Sequence, residues 1–151
     1  MTVAETRTEA AEFADFFAAG WGDGAGERFF EYFGERMHPD VLMTQPMAPP
    51  ARGLKEFHEL FEPLFRAIPD LRGELLSWGE TRDGVLIQMR LHGHLGGRPV
   101  EWTTVDRIVL EDGRIKERHA YFDPMPLIVA MLLRPQVSLR LLPGLLRRRR
   151  R

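Results

Sequence analysis

The sequence predicts an α+β domain, with three helices covering one face of an antiparallel sheet. Three observations carry this. Apolar residues recur at helical spacing in the first half. They alternate between short turns after Leu71, and those turns are too short to join parallel neighbours. At 151 residues the chain is long enough to bury one core.

The elements follow in order. Phe13, Phe16 and Phe17 mark a first helix. After the Gly-rich break "GWGDGAG", Phe29, Phe30, Phe33 and Met37 mark a second. "HPD" at 38–40 reads as a turn into "VLMTQP", a short strand closed by proline. "PPARG" then leads into a third helix that lines one face with Leu54, Phe57, Phe61, Leu64, Phe65 and Ile68. Pro63 lies inside that pattern and is expected to kink or shorten the helix near Glu62. Turns at "RDG", "LGGRP" and "EDG" separate four strands, "RGELLSWGET", "VLIQMRLHGH", "VEWTTVDRIVL" and "RIKERHAYFD", which form a meander. In the second of these, Val85, Ile87, Met89 and Leu91 should meet the helices, leaving Gln88, Arg90, His92 and His94 outside. In the third, Trp102, Thr104, Asp106, Ile108 and Leu110 share a face that mixes large apolar residues with a carboxylate, as a pocket wall does.

Charge is unevenly spread. The net charge is -1, but the first 123 residues carry 14 basic and 22 acidic side chains, whereas Pro124 to Arg151 hold seven arginines and no acid. An acidic body excludes a nucleic-acid-binding fold, which places its positive charge on the domain itself. With no cysteine there are neither disulfides nor thiolate metal sites. The N-terminal stretch lacks the basic flank and apolar segment of a signal peptide, so a cytoplasmic location is expected.

The order of helices, "HPDV" before a short strand, the helix "ARGLKEFHELFEPLFRAIPDLR" and the ending "VDRIVLEDGRIKERHAYFDP" together resemble the SnoaL-like group of the nuclear transport factor 2-like fold, over roughly residues 8–130. The resemblance implies a strongly curved antiparallel sheet wrapped into a cone with an apolar pocket. It gives a domain at 1–130 followed by a basic amphipathic tail at 131–151. Related proteins include polyketide cyclases, ketosteroid isomerases, epoxide hydrolases and dehydratases. The catalytic aspartate of the SnoaL-like cyclases falls on Asp123 of "YFDP". The Arg-x-Asp pair of limonene epoxide hydrolase falls on Met89 and Leu91, which removes its base and its electrophile. The base aspartate of ketosteroid isomerase falls on Gln45, and its helix tyrosine on a region offering Phe13, Phe16 and Phe17. Only its second carboxylate survives, as Asp106.

These residues lead to a cofactor-independent isomerase, cyclase or dehydratase acting on a hydrophobic carbonyl or polyketide-like compound. The alternative is a ligand-binding or dimerisation module of the same fold. With the odd positions of the last strand toward the pocket, His119, Tyr121 and Asp123 stand in a row, about 7 Å between alternate residues. Asp123 is then the proton shuttle, with Asp106, His119 or Tyr121 assisting. Asp123 before Pro124 equally suits a helix cap. Phe13, Phe17, Met43, Gln45, Phe57, Met89, Trp102 and Thr104 are the expected substrate-binding residues, and neither metal nor cofactor is expected. "HGH" at 92–94 shares the polar face with Gln88 and Arg90, which favours a solvent-facing or interface pair over a metal site. A homodimer is expected by analogy. Leu127 and Met131 should pack as a lid over the cone mouth or against a second subunit. The apolar run at 127–133 is too short to span a bilayer. Beyond Pro135, leucines mixed with arginines suit peripheral contact with an anionic membrane, an acidic partner or a solubilising end.

Overall fold

The computed structural model describes residues 7–138. Helix α1 (Glu9–Gly20) starts where the Thr8 hydroxyl accepts a hydrogen bond from the Ala11 N–H at 3.2 Å. It buries Ala10, Phe13, Ala14 and Phe17, one face of a 3.6-residue repeat. Gly24, in the left-handed region at φ 74°, turns the chain into α2 (Ala25–Gly34), which buries Phe29 and Phe33. Helix α3 (Gly53–Ala67) buries Phe57, Phe61 and Phe65. Trp21, just past α1, joins their rings to the others, with centroids 4.8 Å from Phe29 and 6.1 Å from Phe61. The helical layer is therefore welded by aromatic edges and faces.

The strands are β1 (Met37–Gln45), β2 (Ala48–Arg52), β3 (Arg72–Thr81), β4 (Gly84–Leu95), β5 (Arg98–Glu111) and β6 (Arg114–Phe122), in the spatial order β2-β1-β6-β5-β4-β3. The meander is as expected, and the helices cover the face of β4 that carries Val85, Ile87, Met89 and Leu91. The sheet as a whole is mixed, because β1 runs parallel to β6. It is curved and unclosed, and the extra residues in β3 and β6 sharpen its bend. At the start of β4, a Cβ on Gly84 would lie 1.9 Å from the Ile108 carbonyl oxygen. Only glycine lets these two backbones approach so closely.

Several local expectations are corrected. Met37 opens β1 instead of closing α2, and 38–40 belong to that strand, with an irregular register between Met37 and Leu42. "APPAR" is not a lead-in to α3 but the edge strand β2, the position in a sheet where prolines are tolerated. Pro63 does not end α3, which continues to Ala67 because Phe61 and Phe65 anchor both sides of it in the core. Leu54 is exposed rather than on the buried face.

After β6 the chain forms α4 (Met125–Leu132) and a single turn, α5 (Pro135–Ser138). Helix α4 runs through the expected boundary at 130. Leu127 is buried, whereas Val129, Leu132 and Leu133 are exposed. No helix among the described residues is long and apolar enough to cross a membrane. The leucine and arginine stretch from Leu139 to Arg151 lies outside the described residues.

Candidate functional site

A cavity of about 130 Å³ lies between α3, α4 and the inner face of the sheet. Its walls are apolar: Leu60, Phe61 and Leu64 of α3, Leu91 and Trp102 of the sheet, Phe122 at the end of β6, and Leu127 and Met131 of α4. Leu127 and Met131, expected over the cone mouth or against a second subunit, thus border the cavity from α4. The β1–β2 turn closes another side with Gln45, Pro46, Met47 and Ala48. Met47 holds φ 69°, the left-handed conformation of the third position of a type II turn, a place that usually selects glycine.

The hydrogen-bonded polar side chains that line this cavity, Gln45, Thr104 and Arg118, gather at its floor. Arg118, on β6 and nearly inaccessible to solvent, donates from Nε to Asp106 Oδ2 at 3.1 Å and from Nη2 to Asp106 Oδ1 at 3.4 Å. Asp106 itself is buried on β5, and its Oδ1 also accepts from the Thr104 hydroxyl at 3.0 Å. Arg118 Nη1 donates to Gln45 Oε1 at 3.1 Å, and the guanidinium lies 5.1 Å from the centroid of Phe61. Strand pairing fixes the cluster, for Asp106 sits opposite Ala120 on β6 and Met43 of β1 opposite Arg118.

The bonding leaves specific groups over. Each Nη nitrogen carries two N–H groups, and on Arg118 one of each pair is engaged. Gln45 uses its carbonyl oxygen on Arg118, so its NH₂ group is the donor that remains. Arg118, Gln45 and Thr104 all line the cavity. The floor thus offers hydrogen-bond donors from a charge-balanced ion pair set in an apolar wall.

The structure divides the expected site residues. Gln45, Trp102 and Thr104 line the cavity, and Asp106 lies directly behind them. Phe13, Phe17, Met43, Phe57 and Met89 are buried in the core and do not line it. The expected orientation of the last strand is reversed. His119 lies on the outer face, where its Nδ1 meets the Thr44 hydroxyl at 2.7 Å and its Nε2 meets Glu117 Oε2 at 2.9 Å. Tyr121 is 61% exposed. Asp123 is exposed, and its Oδ1 accepts the Met125 N–H at 2.9 Å at the start of α4. The capping reading is the one that matches the geometry.

The residue missed in the sequence is Arg118. Its signal was present as an arginine in alternation with Ala120 and Phe122, two and four positions on. The cause of the reversal is a bulge: Leu110 pairs with Ile115 but Val109 pairs with Glu117, so Lys116 is an extra residue in β6. Ile115 and Arg118 therefore both point inward. On the outer face, Asp70 Oδ2 lies 2.6 Å from His94 Nδ1, and that hydrogen bond holds the Asp70 carboxyl below its ordinary value.

A family model described as a SnoaL-like domain matches residues 13–118. Comparison with curated protein sequences finds no match. Among solved structures, the chain is similar to a candidate SnoaL-like polyketide cyclase from Jannaschia sp. CCS1, at 18% identity and a TM-score of 0.71, covering 85% of this chain and 96% of that one. It is similar also to an epoxide hydrolase from M. tuberculosis of the limonene epoxide hydrolase-like type, at 19% identity and a TM-score of 0.64, covering 87% and 94%. An NTF2-like protein of unknown function from Burkholderia pseudomallei K96243 superposes with a TM-score of 0.69 at 16% identity, covering 82% and 98%.

Proposed function

The chain belongs to the SnoaL-like domain family, and from that premise we propose that it binds a small, uncharged, apolar carbonyl compound with the carbonyl oxygen on Arg118 and Gln45. The observation that carries this reading is the buried guanidinium on the cavity floor with N–H groups left over. Size limits the ligand. Apolar protein cavities of about 150 Å³ stay dry and accept benzene, so a cavity of about 130 Å³ limits the buried part of a ligand to about one six-membered ring. Charge limits it further. Asp106 already balances Arg118, so an anionic ligand would bring an unpaired charge into an apolar wall, whereas a ketone oxygen needs only the donors.

Chemistry on such a ligand is supported by the same guanidinium. Isomerases, cyclases and dehydratases that remove a proton beside a carbonyl develop negative charge on its oxygen, and a preorganised donor in a water-excluded site stabilises it. The carboxylate nearest to the floor is Asp106, so the acid/base role expected of Asp123 passes to it. Protonating Asp106 would give up the charge that balances the buried Arg118, which makes ligand binding the better supported part of the reading.

Calorimetric titration with acetophenone and with ethylbenzene, which has the same shape but no oxygen, tests the proposal. A hydrogen bond to a charged donor contributes about 1.5 kcal/mol, so the ketone should bind ~10-fold more tightly. Arg118→Lys, which keeps the charge beside Asp106 but loses the planar fork, should erase most of that preference. Equal affinity of the wild type for the two compounds would sink the reading. Deuterium uptake at the ketone methyl group, followed by NMR, separates turnover from binding alone.

A further inference from the structure

Helix α4 carries no polar side chain, its residues reading MPLIVAML. A helix apolar on every face normally has protein or lipid against every face. Here only one face is covered: Leu127 is buried and borders the cavity together with Met131. On the opposite side Met125, Val129 and Leu132, with Leu133 just beyond the helix, recur at helical spacing, and all four are exposed, Leu132 at 74%. Beside this ridge the exposed Arg98 of β5 borders a shallow groove with Val129 and Leu133. Among the described residues Arg98 forms no ion pair, whereas Glu101 in the same groove lies 3.6 Å from Arg90 Nε.

An exposed apolar ridge marks a contact surface, and the charge around it selects the partner. Residues 124–151 hold seven arginines and no acid. Two copies joined through α4 would set like charge against like, whereas an anionic surface is attracted. The ridge has no charged, amide or hydroxyl side chain with which to select a protein, and hydrocarbon requires none. We infer that α4 is a membrane-docking surface: it lies in the plane of an anionic bilayer, with Met125, Val129, Leu132 and Leu133 at the acyl boundary and the arginines against the headgroups. The helix is too short to cross, so it lies on the bilayer rather than through it. This goes beyond the carbonyl-binding reading and does not depend on it. The other face of α4 lines the cavity, so docking sets the apolar site beside the apolar layer.

Flotation of the full chain with phosphatidylcholine vesicles, with and without about one-third phosphatidylglycerol, tests the inference. The wild type should bind the anionic vesicles at least about tenfold more tightly than the neutral ones, and the difference should shrink as salt is added. Leu132→Gln with Leu133→Gln leaves the charge unchanged, and both positions are exposed and glutamine is a good helix former, so the variant folds. It should bind the anionic vesicles about tenfold more weakly. Leu86→Gln, at an exposed leucine on the outer face of the sheet, should bind as the wild type does. Failure of the wild type to float with anionic vesicles overturns the inference. Flotation that survives both glutamines also overturns it, assigning the attraction to the arginines alone. A dimer in sedimentation equilibrium that the two glutamines dissolve overturns it in favour of a second copy, and binding to soluble poly-glutamate as tight as to the vesicles does so in favour of an acidic protein.

Discussion

Arg118 and His119 are neighbours on one strand, and each is bound to a carboxylate, yet they live in different solvents. Arg118 faces inward to Asp106, and both side chains are almost wholly removed from water. His119 lies on the outer face, itself 19% exposed, beside Glu117, whose side chain is 39% exposed. The difference shows that the identity of an ion pair says little about its weight in the fold. Outside, water competes for each group and the pair contributes at most about 1 kcal/mol. Inside, neither partner can be removed without stranding the other in an apolar wall.

The largest effect expected from this contrast follows from taking away one inner partner. Arg118→Ala should cost about 3–5 kcal/mol in urea denaturation, because Asp106 stays buried without its cation. His119→Ala should cost less than about 1 kcal/mol. The double variant Asp106→Leu with Arg118→Met should recover most of the lost stability, since a buried pair can be exchanged for apolar residues at little cost. It should also abolish the preference for ketone over hydrocarbon. A single Arg118→Ala variant as stable as the His119→Ala variant would erase the distinction between the two faces.

The same strand explains what could be read from the sequence. Helical spacing of Phe13, Phe17, Phe29, Phe57 and Phe61, and alternation in β4, reveal the core because burial repeats with the period of the backbone. On β5 the inward row of Trp102, Thr104 and Asp106 was legible for the same reason. In β6 the phase is lost at Lys116. A bulge leaves no mark on composition, and one residue of shift exchanges the faces of everything after it. His119, Tyr121 and Asp123, the odd positions expected in the pocket, are thereby turned outward, and Arg118 is turned inward. Strand β2 was hidden by its prolines, which argue against a strand in the middle of a sheet but not at its edge.

A smaller effect sharpens the contrast at the end of β6. Asp123 accepts the Met125 N–H from outside the cavity, so Asp123→Ala should cost about 1 kcal/mol, the ordinary value of an aspartate that satisfies a helix N-terminus. Because the aspartate does not border the cavity, acetophenone affinity should stay within about twofold of wild type. A tenfold loss of affinity without a matching loss of stability would return Asp123 to the site.

The smallest effect concerns a second outer pair, Asp70 with His94. Asp70 accepts the His94 backbone N–H at 2.9 Å through Oδ1 and lies 2.6 Å from Nδ1 through Oδ2, and its carboxyl is held below the ordinary value of 3.8 chiefly by the side-chain hydrogen bond. A carboxyl whose folded pKa is depressed adds stability that is present above the unfolded value. That stability drains away as pH falls through the folded value. Asp70→Asn should therefore lower Tm slightly at pH 6, by the equivalent of less than about 1 kcal/mol for a pair this exposed. The gap should narrow as pH falls below 3.8 and through the folded value, where the Asp70 carboxyl becomes neutral like the asparagine amide of the variant. Arg72, Arg90, His92 and Glu101 border the same shallow groove and titrate or carry charge in both proteins, so they cancel in the comparison. If the gap widened on acidification, the His94 contact would not be what holds the Asp70 carboxyl down.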